Sequence, residues 1–311
     1  MEKKKIVNYL FNSYYRFYVN STKLGFHKKM NDVDYLCKQF RGVFNKDLNL
    51  TNPKTFNEKI QWLKIYDRNK EYVSMVDKID VKNVVANIIG NEFIIPTIGV
   101  WDSFDDIDFD LLPNEFVLKC THDSGSTVVC KDKASFDYKK ARKKIEKALK
   151  RNYYYLYREW PYKSVKPRII AEKYMVDELG ADEITDYKFY CFNGRADCVM
   201  VCMDRKSGDT KFYFFDRQWK LKRINERGKK APKGFTIEKP VCMDKMFDLA
   251  EKLTKGIPFV RLDMYQCGGS IYFGEYTFYP GSGLDPNYLP ETEVYFGNLI
   301  DINNVTQRKG Y

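Results

Sequence analysis

Apolar and polar positions change their period along this chain, and the change divides it into a helical first part and a strand-rich last part. Leu10, Phe11, Tyr14, Phe17 and Tyr18 recur at helical spacing beside Lys3 to Lys5. That pattern fits a helix packed on its own domain or a basic amphipathic helix lying on a membrane. Thr55-Phe-Asn-Glu58 is a capping box, so a helix opens there and runs through Ile60, Leu63 and Tyr66. A further helix is expected from about Glu71 to Ile89, stopped by Gly90. Short strand signals follow at Phe93 to Val100, Phe116 to Cys120 and Thr127 to Cys130, then a basic helix and the apolar run Arg168 to Ala171. From Asp186 onward the chain reads as strand: Asn193-Gly194 is a hairpin turn between Tyr187–Phe192 and Ala196–Met203, and another strand covers Lys211–Phe215. A helix from about Met243 to Lys255 precedes a hairpin-like stretch. No internal repeat is visible, and the class is α+β.

At 311 residues the chain can bury a substantial core and is expected to hold two or three closely packed units. A composition of 44% hydrophobic and 16% aromatic residues with few prolines excludes a disordered chain. No stretch approaches the roughly 18 apolar residues of a membrane span. Asn8, Asn12 and Arg16 interrupt the N-terminal apolar run and no small-residue cleavage site follows, so a cytoplasmic protein is expected. The eight cysteines are scattered without a C-x-x-C pair and read as reduced core residues. With His27 and His122 the only histidines, a zinc site or a Ser-His or Cys-His nucleophile is poorly supported.

A formal net charge of +11 calls for an anionic partner. Nucleic acid, anionic lipid, nucleotide phosphates and acidic sugars all qualify. In the densest basic run, Lys139 to Arg151, the residues Ala141, Ile145, Ala148 and Leu149 fall at helical spacing, which puts most of the charge on a solvated face. No nucleic-acid motif accompanies it, so no nucleic-acid partner is expected.

The candidate chemistry lies in three places. Arg261-Leu-Asp263 is followed by a hairpin whose second arm carries Glu275 and Thr277. Hard Mg²⁺ takes one or two carboxylates and fills its other positions with phosphate oxygens and water, so Asp263 and Glu275 suit a metal–ATP complex, with Arg261 on the same face to reach a phosphate. A plain cross-strand ion pair fits the same residues. Lys119 closes the strand Phe116–Lys119 beside the polar loop Cys120-Thr-His-Asp-Ser-Gly125-Ser-Thr127, an arrangement suited to phosphate and also to an ordinary hairpin with an exposed lysine. It is not a P-loop. In that loop His122 is placed to hydrogen-bond a phosphate or carboxylate, or is a surface histidine on a turn. Downstream, Glu172-Lys173-Tyr174-Met175 ends a strand where backbone can meet an adenine edge.

In order, these elements resemble the ATP-grasp superfamily, and within it the TupA-like branch named for teichuronopeptide biosynthesis. The blocks are Pro53-Lys-Thr-Phe-Asn-Glu-Lys59-Ile-Gln-Trp62, Asp77-Lys78, Leu112 to Lys119, the Gly125 loop, Asp186 to Gly194, Asp204-Arg205, Arg261-x-Asp263 with Gly274-Glu275-Tyr-Thr277, and Pro280 to Gly283. The resemblance implies an ATP-grasp fold, two α+β subdomains gripping ATP: a helical N-terminal region over 1–74, a small subdomain with a lid loop over 75–175 and a large one with the metal site over 176–311. It implies that Lys78 and Lys119 hold ATP phosphates, that Ser124, Gly125 and Ser126 close over them, and that Lys188 and Arg205 also serve the nucleotide. Glu172, Lys173 and Met175 would line the adenine pocket, Asp263, Glu275 and Thr277 would hold Mg²⁺, and Arg261, Lys119 and His122 are the catalytic candidates. Thr277 stands where ATP-grasp ligases usually carry Asn. The region before Asp77 is too helical and short for the βαβ substrate domain of D-alanine:D-alanine ligase, so no acceptor residues carry over.

The implied reaction joins a carboxylate to an amine. The carboxylate attacks the γ-phosphorus of ATP, and the amine displaces phosphate from the acyl phosphate so formed. The resemblance implies a uronic-acid carboxylate on a sugar, nucleotide-sugar or growing glycan, and an amino acid or amino alcohol as amine, in capsular or surface-polysaccharide biosynthesis. The alternatives are an ATP-dependent sugar or small-molecule kinase and a non-catalytic basic binding protein for glycan or nucleic acid.

Overall fold

Period-two apolar runs separated by turn residues give strands, and in the computed structural model, which describes residue 7 and residues 9–176, 185–203 and 210–306, those strands sort into two antiparallel sheets. The first has the order β1-β4-β2-β3, from β1 (Thr97–Trp101), β2 (Phe116–Cys120), β3 (Val128–Cys130) and β4 (Ile169–Lys173). The second has the order β10-β9-β5-β6-β7-β8, from β5 (Asp186–Phe192), β6 (Arg195–Met203), β7 (Lys211–Phe215), β8 (Leu221–Lys222), β9 (Phe259–Cys267) and β10 (Ser270–Thr277). Asn193 and Gly194 turn between β5 and β6 with φ of 50° and 78°, the left-handed pair that a two-residue hairpin demands.

The helices are α1 (Ser13–Leu24), α2 (Asp32–Phe44), α3 (Phe56–Tyr66), α4 (Glu71–Val76), α5 (Asp80–Ile89), α6 (Tyr138–Leu149), α7 (Tyr154–Tyr157), α8 (Glu226–Lys230), α9 (Met243–Leu253), α10 (Pro290–Leu299) and α11 (Asn303–Thr306). The Thr55–Glu58 capping box forms as expected at the start of α3. The single helix expected over 71–89 is two. Asp77 breaks it, because its side chain accepts the backbone N–H groups of Ile79 (2.7 Å) and Asp80 (3.2 Å) and restarts the helix as α5. That break sets Lys78 outside helical register, its N–H donating to Thr121 O at 3.2 Å.

Each sheet has its own apolar core. Phe116, Leu118, Ile169 and Ala171 of the smaller sheet pack with Ala141, Ile145 and Ala148 of α6, whose basic residues face solvent. The larger sheet packs with α9 on residues such as Met246, Phe247 and Ala250, and the same core takes in Phe56, Ile60 and Leu63 of α3. Phe56 meets Phe192, Phe259 and Phe296 with ring centroids 5.0–6.4 Å apart, edge to face. Near the N-terminus, Tyr14, Phe17 and Tyr18 are half-buried, whereas Leu10 and Phe11 are exposed. All eight cysteines are free thiols. Among the described residues no helix is long and apolar enough to cross a membrane.

Candidate active site

Between the two sheets lies a cleft that encloses about 1020 Å³ of empty space, part of it open to solvent. Its two walls carry charge for different structural reasons.

On the larger sheet, register does the work. Lys188 of β5 stands opposite Asp263 of β9, and Asp263 stands opposite Glu275 of β10, so one row across three strands reads Lys–Asp–Glu. A bulge between Phe273 and Glu275 sets this register, and it needs Gly274: a Cβ there would sit 2.8 Å from both Asp263 O and the Tyr265 ring. Two residues back on the same face of β9, Arg261 forks onto Asp263, Nε to Oδ1 and Nη2 to Oδ2, both at 2.7 Å. Arg261 Nη2 also donates to Thr277 Oγ1 at 2.9 Å, and Thr277 Oγ1 donates to Glu275 Oε1 at 3.2 Å. Lys188 pairs with Asp263 and, at 3.0 Å, with Asp186. Burial opposes the charges on Arg261 and Lys188, but Asp263 outweighs it and holds both above their ordinary pKa values. Asp263 is 1% exposed, whereas the Glu275 side chain is 52% exposed and open to the cleft.

The opposite wall is built around one carboxylate. Glu172 of β4 takes Lys119 of β2 on Oε2 at 2.7 Å and Lys82 of α5 on Oε1 at 2.6 Å. Burial works to raise the Glu172 pKa, yet the two ammonium groups outweigh it and hold the carboxyl below its usual range. Lys78 bonds to Asp123 O, and burial lowers its pKa against the opposing pull of Glu275 across the cleft. The loop after β2 is tied to itself: Cys120 N donates to Ser126 Oγ, Ser126 Oγ donates to Asp123 Oδ1, and Arg151 pairs with Asp123 Oδ2 at 2.8 Å. Ser124 and Gly125 are left exposed at its tip, with Gly125 at φ 91°.

The cleft therefore brings together Lys78, Lys119, Ser124, Gly125, Glu172, Lys188, Asp263 and Glu275, with Arg261 and Thr277 bonded behind the two carboxylates. Several expected residues stand elsewhere. Ser126 is buried within its loop, Lys173 is exposed, and neither it nor Met175 lines the cleft. Arg205 lies outside the described residues. His122 is neither a cleft residue nor a surface histidine: it is 1% exposed, and its Nε2 lies 3.2 Å from Ala148 O and 3.1 Å from Arg151 O, pinning the end of α6 to the loop. The orphan carbonyls of a helix end need a donor, and a buried imidazole N–H supplies it.

Replacing His122 with Ala is accordingly expected to cost about 2–3 kcal/mol of stability through the lost hydrogen bonds and the cavity, measurable as a lower melting temperature. Burial lowers the His122 pKa, so the unfolded chain takes up a proton that the folded chain resists, and this contribution declines as pH falls below the ordinary imidazole value. A variant as stable as wild type would refute the pinning role.

Sequence reasoning missed Lys82, Asp186 and Tyr162, all of which line the cleft. Asp186 precedes Lys188 by two on one strand, so spacing carried a signal for it, whereas Lys78 lies outside the helix that carries Lys82 and the four-residue interval between them carried none. Tyr162 lies in a turn with no periodic pattern and carried none.

Asp263 and Glu275 supply hard oxygen donors directly opposite each other, and among the described residues no group of three or more His, Cys, Asp or Glu could enclose a metal by itself. That donor set fits Mg²⁺ completed by phosphate oxygens rather than a protein cage. Sequence comparison gives the class. Residues 58–301 match the family model described as TupA-like ATPgrasp, and the chain belongs to that family of ATP-dependent ligases, which form carbon–nitrogen bonds. No curated protein sequence matches. Among solved structures, it is similar to D-alanine–D-alanine ligase from Bacillus anthracis, at 14% identity and a TM-score of 0.44 over 82% of this chain and 71% of that one. The corresponding values for the Helicobacter pylori enzyme are 14%, 0.40, 81% and 68%. For the ATP-grasp ligase PsnB, complexed with minimal precursor, Mg and ADP, they are 9%, 0.36, 71% and 57%, so the chain spans under two-thirds of that ligase. The family assignment rests on the 58–301 match alone.

Proposed function

We propose that the chain joins the carboxylate of a uronic-acid-containing sugar to an amino acid or amino alcohol, using MgATP, in the building of a surface polysaccharide. The observation that supports MgATP binding is the cleft itself: Lys78, Lys82 and Lys119 on one wall face the Lys188–Asp263–Glu275 row on the other, with Arg261 bonded behind Asp263. A triphosphate with its cation matches that alternation of charge. Val81, Ile94, Ile95 and Phe273 supply an apolar surface for the base. Mg²⁺ held at Asp263 and Glu275 would supply charge neutralisation at the phosphates. Lys119 and Arg261 would align the γ-phosphate with the carboxylate and meet the negative charge that develops on transfer. The Ser124–Gly125 tip, above the cleft, would screen the acyl phosphate from water until the amine arrives. A net charge of +11 supports a polyanionic sugar as acceptor, and the exposed Leu10 and Phe11 support a peripheral seat at the cytoplasmic face of a membrane.

Trapping tests the chemistry. Wild-type protein given MgATP, a uronic-acid substrate and hydroxylamine is expected to release ADP and yield the hydroxamate of that acid. A substrate that drives ADP release and gives a phosphate ester with no hydroxamate would replace the ligase reading with a kinase.

A further inference from the structure

Behind the cleft lies a second set of charged groups that the proposed chemistry does not use. Lys64 and Gln61 of α3 are both 0% exposed, and Glu159 and Ser282 are 6% and 8% exposed. Lys64, Gln61 and Glu159 converge on the turn Gly281-Ser282-Gly283, where three successive residues have φ of 56°, 55° and 59°. Glycine accepts that conformation freely, but a serine held there is strained and persists only where its surroundings impose it.

The surroundings grip Ser282 from two sides. Lys64 Nζ donates to Ser282 O at 2.7 Å, and its other two donors go to Tyr157 O at 2.9 Å and Gln61 Oε1 at 3.1 Å. Gln61 Nε2 donates to Ser282 O at 3.0 Å and to Gly283 O at 2.6 Å. From the other side, Ser282 Oγ donates to Glu159 Oε1 at 2.6 Å. The approach is close enough that a Cβ on Gly283 would lie 2.5 Å from Ile60 Cγ2. Burial lowers the Lys64 pKa to about 7 and raises that of Glu159, each opposed by the other's charge. Placing both groups out of water is costly, and an apolar pair of the same size would hold a plain turn at least as well.

What the turn adjoins explains the arrangement. Thr277, whose hydroxyl bridges Arg261 and Glu275, lies three residues before Pro280. Tyr279, which joins the end of β10 to the turn, accepts the Ser282 N–H at 2.7 Å and has the Lys64 ammonium 5.9 Å from its ring centroid. The turn is thus the rear support of the end of β10 that carries Glu275 and Thr277.

We infer that Lys64 and Glu159 are positioning residues: by clamping Ser282 at its carbonyl and its hydroxyl they hold the 281–283 turn, and through it the Arg261–Thr277–Glu275 end of the cleft, in the geometry that receives MgATP. This rests on the MgATP reading of the cleft. Neither side chain lines the cleft.

The test uses MgATP as the probe and needs no knowledge of acceptor or amine. Melting temperature is measured with and without millimolar MgATP, each variant being compared with its own ligand-free value. Wild type is expected to gain stability on adding MgATP. Ser282→Gly removes the hydroxyl tether while easing the backbone strain, and it is expected to lose most of that gain, with a Kd for MgATP raised about tenfold. Lys64→Met removes the carbonyl grip and is expected to act in the same direction. Ile145→Val, in the core beneath α6, lowers the ligand-free value and keeps the whole gain. If wild type gains and Ser282→Gly gains equally, the clamp is structural only and the inference falls alone. If wild type gains nothing, the MgATP reading falls and takes this inference with it.

Discussion

Glu275→Gln is expected to lower turnover on the order of 10²–10³-fold while leaving stability almost unchanged. The separation of the two effects follows from exposure. The Glu275 side chain is 52% exposed and its contact with Arg261, at 3.5 Å, is a surface-type pair of small value, so its removal is expected to change stability by no more than about 0.5 kcal/mol. What the amide loses is the charge facing the metal–phosphate complex. Asp263→Asn is expected to abolish turnover as well but to destabilise the fold too, because Asp263 is 1% exposed and both its oxygens are paired, with Arg261 and with Lys188. Breaking such a pair leaves buried cations uncompensated and costs about 3 kcal/mol. Steady-state turnover and thermal melting on the two variants give the comparison. Turnover near the wild-type rate in Glu275→Gln would remove the metal role from this hairpin.

Lys119→Met is expected to reduce turnover by about 10²-fold or more without unfolding the protein. A lysine that holds a reacting phosphate loses its effect when its charge goes. Removing it would ordinarily strand the buried Glu172, but Lys82 remains on the other oxygen at 2.6 Å and keeps that carboxylate paired. Lys82→Met leaves Lys119 in place on Glu172, so it is expected to impair turnover less. A Lys119→Met protein as active as wild type would reduce the loop after β2 to an ordinary hairpin, and one that fails to fold would show that Lys82 alone cannot hold Glu172.

Local chemistry was legible in the sequence wherever a few adjacent residues decide it. The Thr55–Glu58 box, the Asn193-Gly194 turn, the solvated basic face of α6 and the Arg261/Asp263 face of β9 follow from capping, left-handed turn preference and side-chain periodicity, which act over two to four residues. The several blocks in order then sufficed to place the chain in its family. Pairings between distant residues were not legible. The break at Asp77 depends on a side chain capping backbone in the middle of an apolar-periodic run, and Arg168, 91 residues away, completes it by pairing with the same carboxylate at 2.9 Å. His122 reads as a loop residue, yet the end of α6 folds over it and turns it into a buried clamp. Glu172 reads as a strand end, and only the pairing of β4 with β2 and the approach of α5 give it two lysines. The grip of Lys64 and Glu159 on Ser282 joins segments 218 and 123 residues apart. Sequence by itself determined the family, the β9–β10 hairpin with its two carboxylates and those elements whose caps, turns and periodicity are local, because these are set by local propensity and by residue identity. Tertiary structure alone decided which cations each carboxylate meets and which polar groups leave water, because electrostatic pairing and desolvation depend on distances that chain order does not encode.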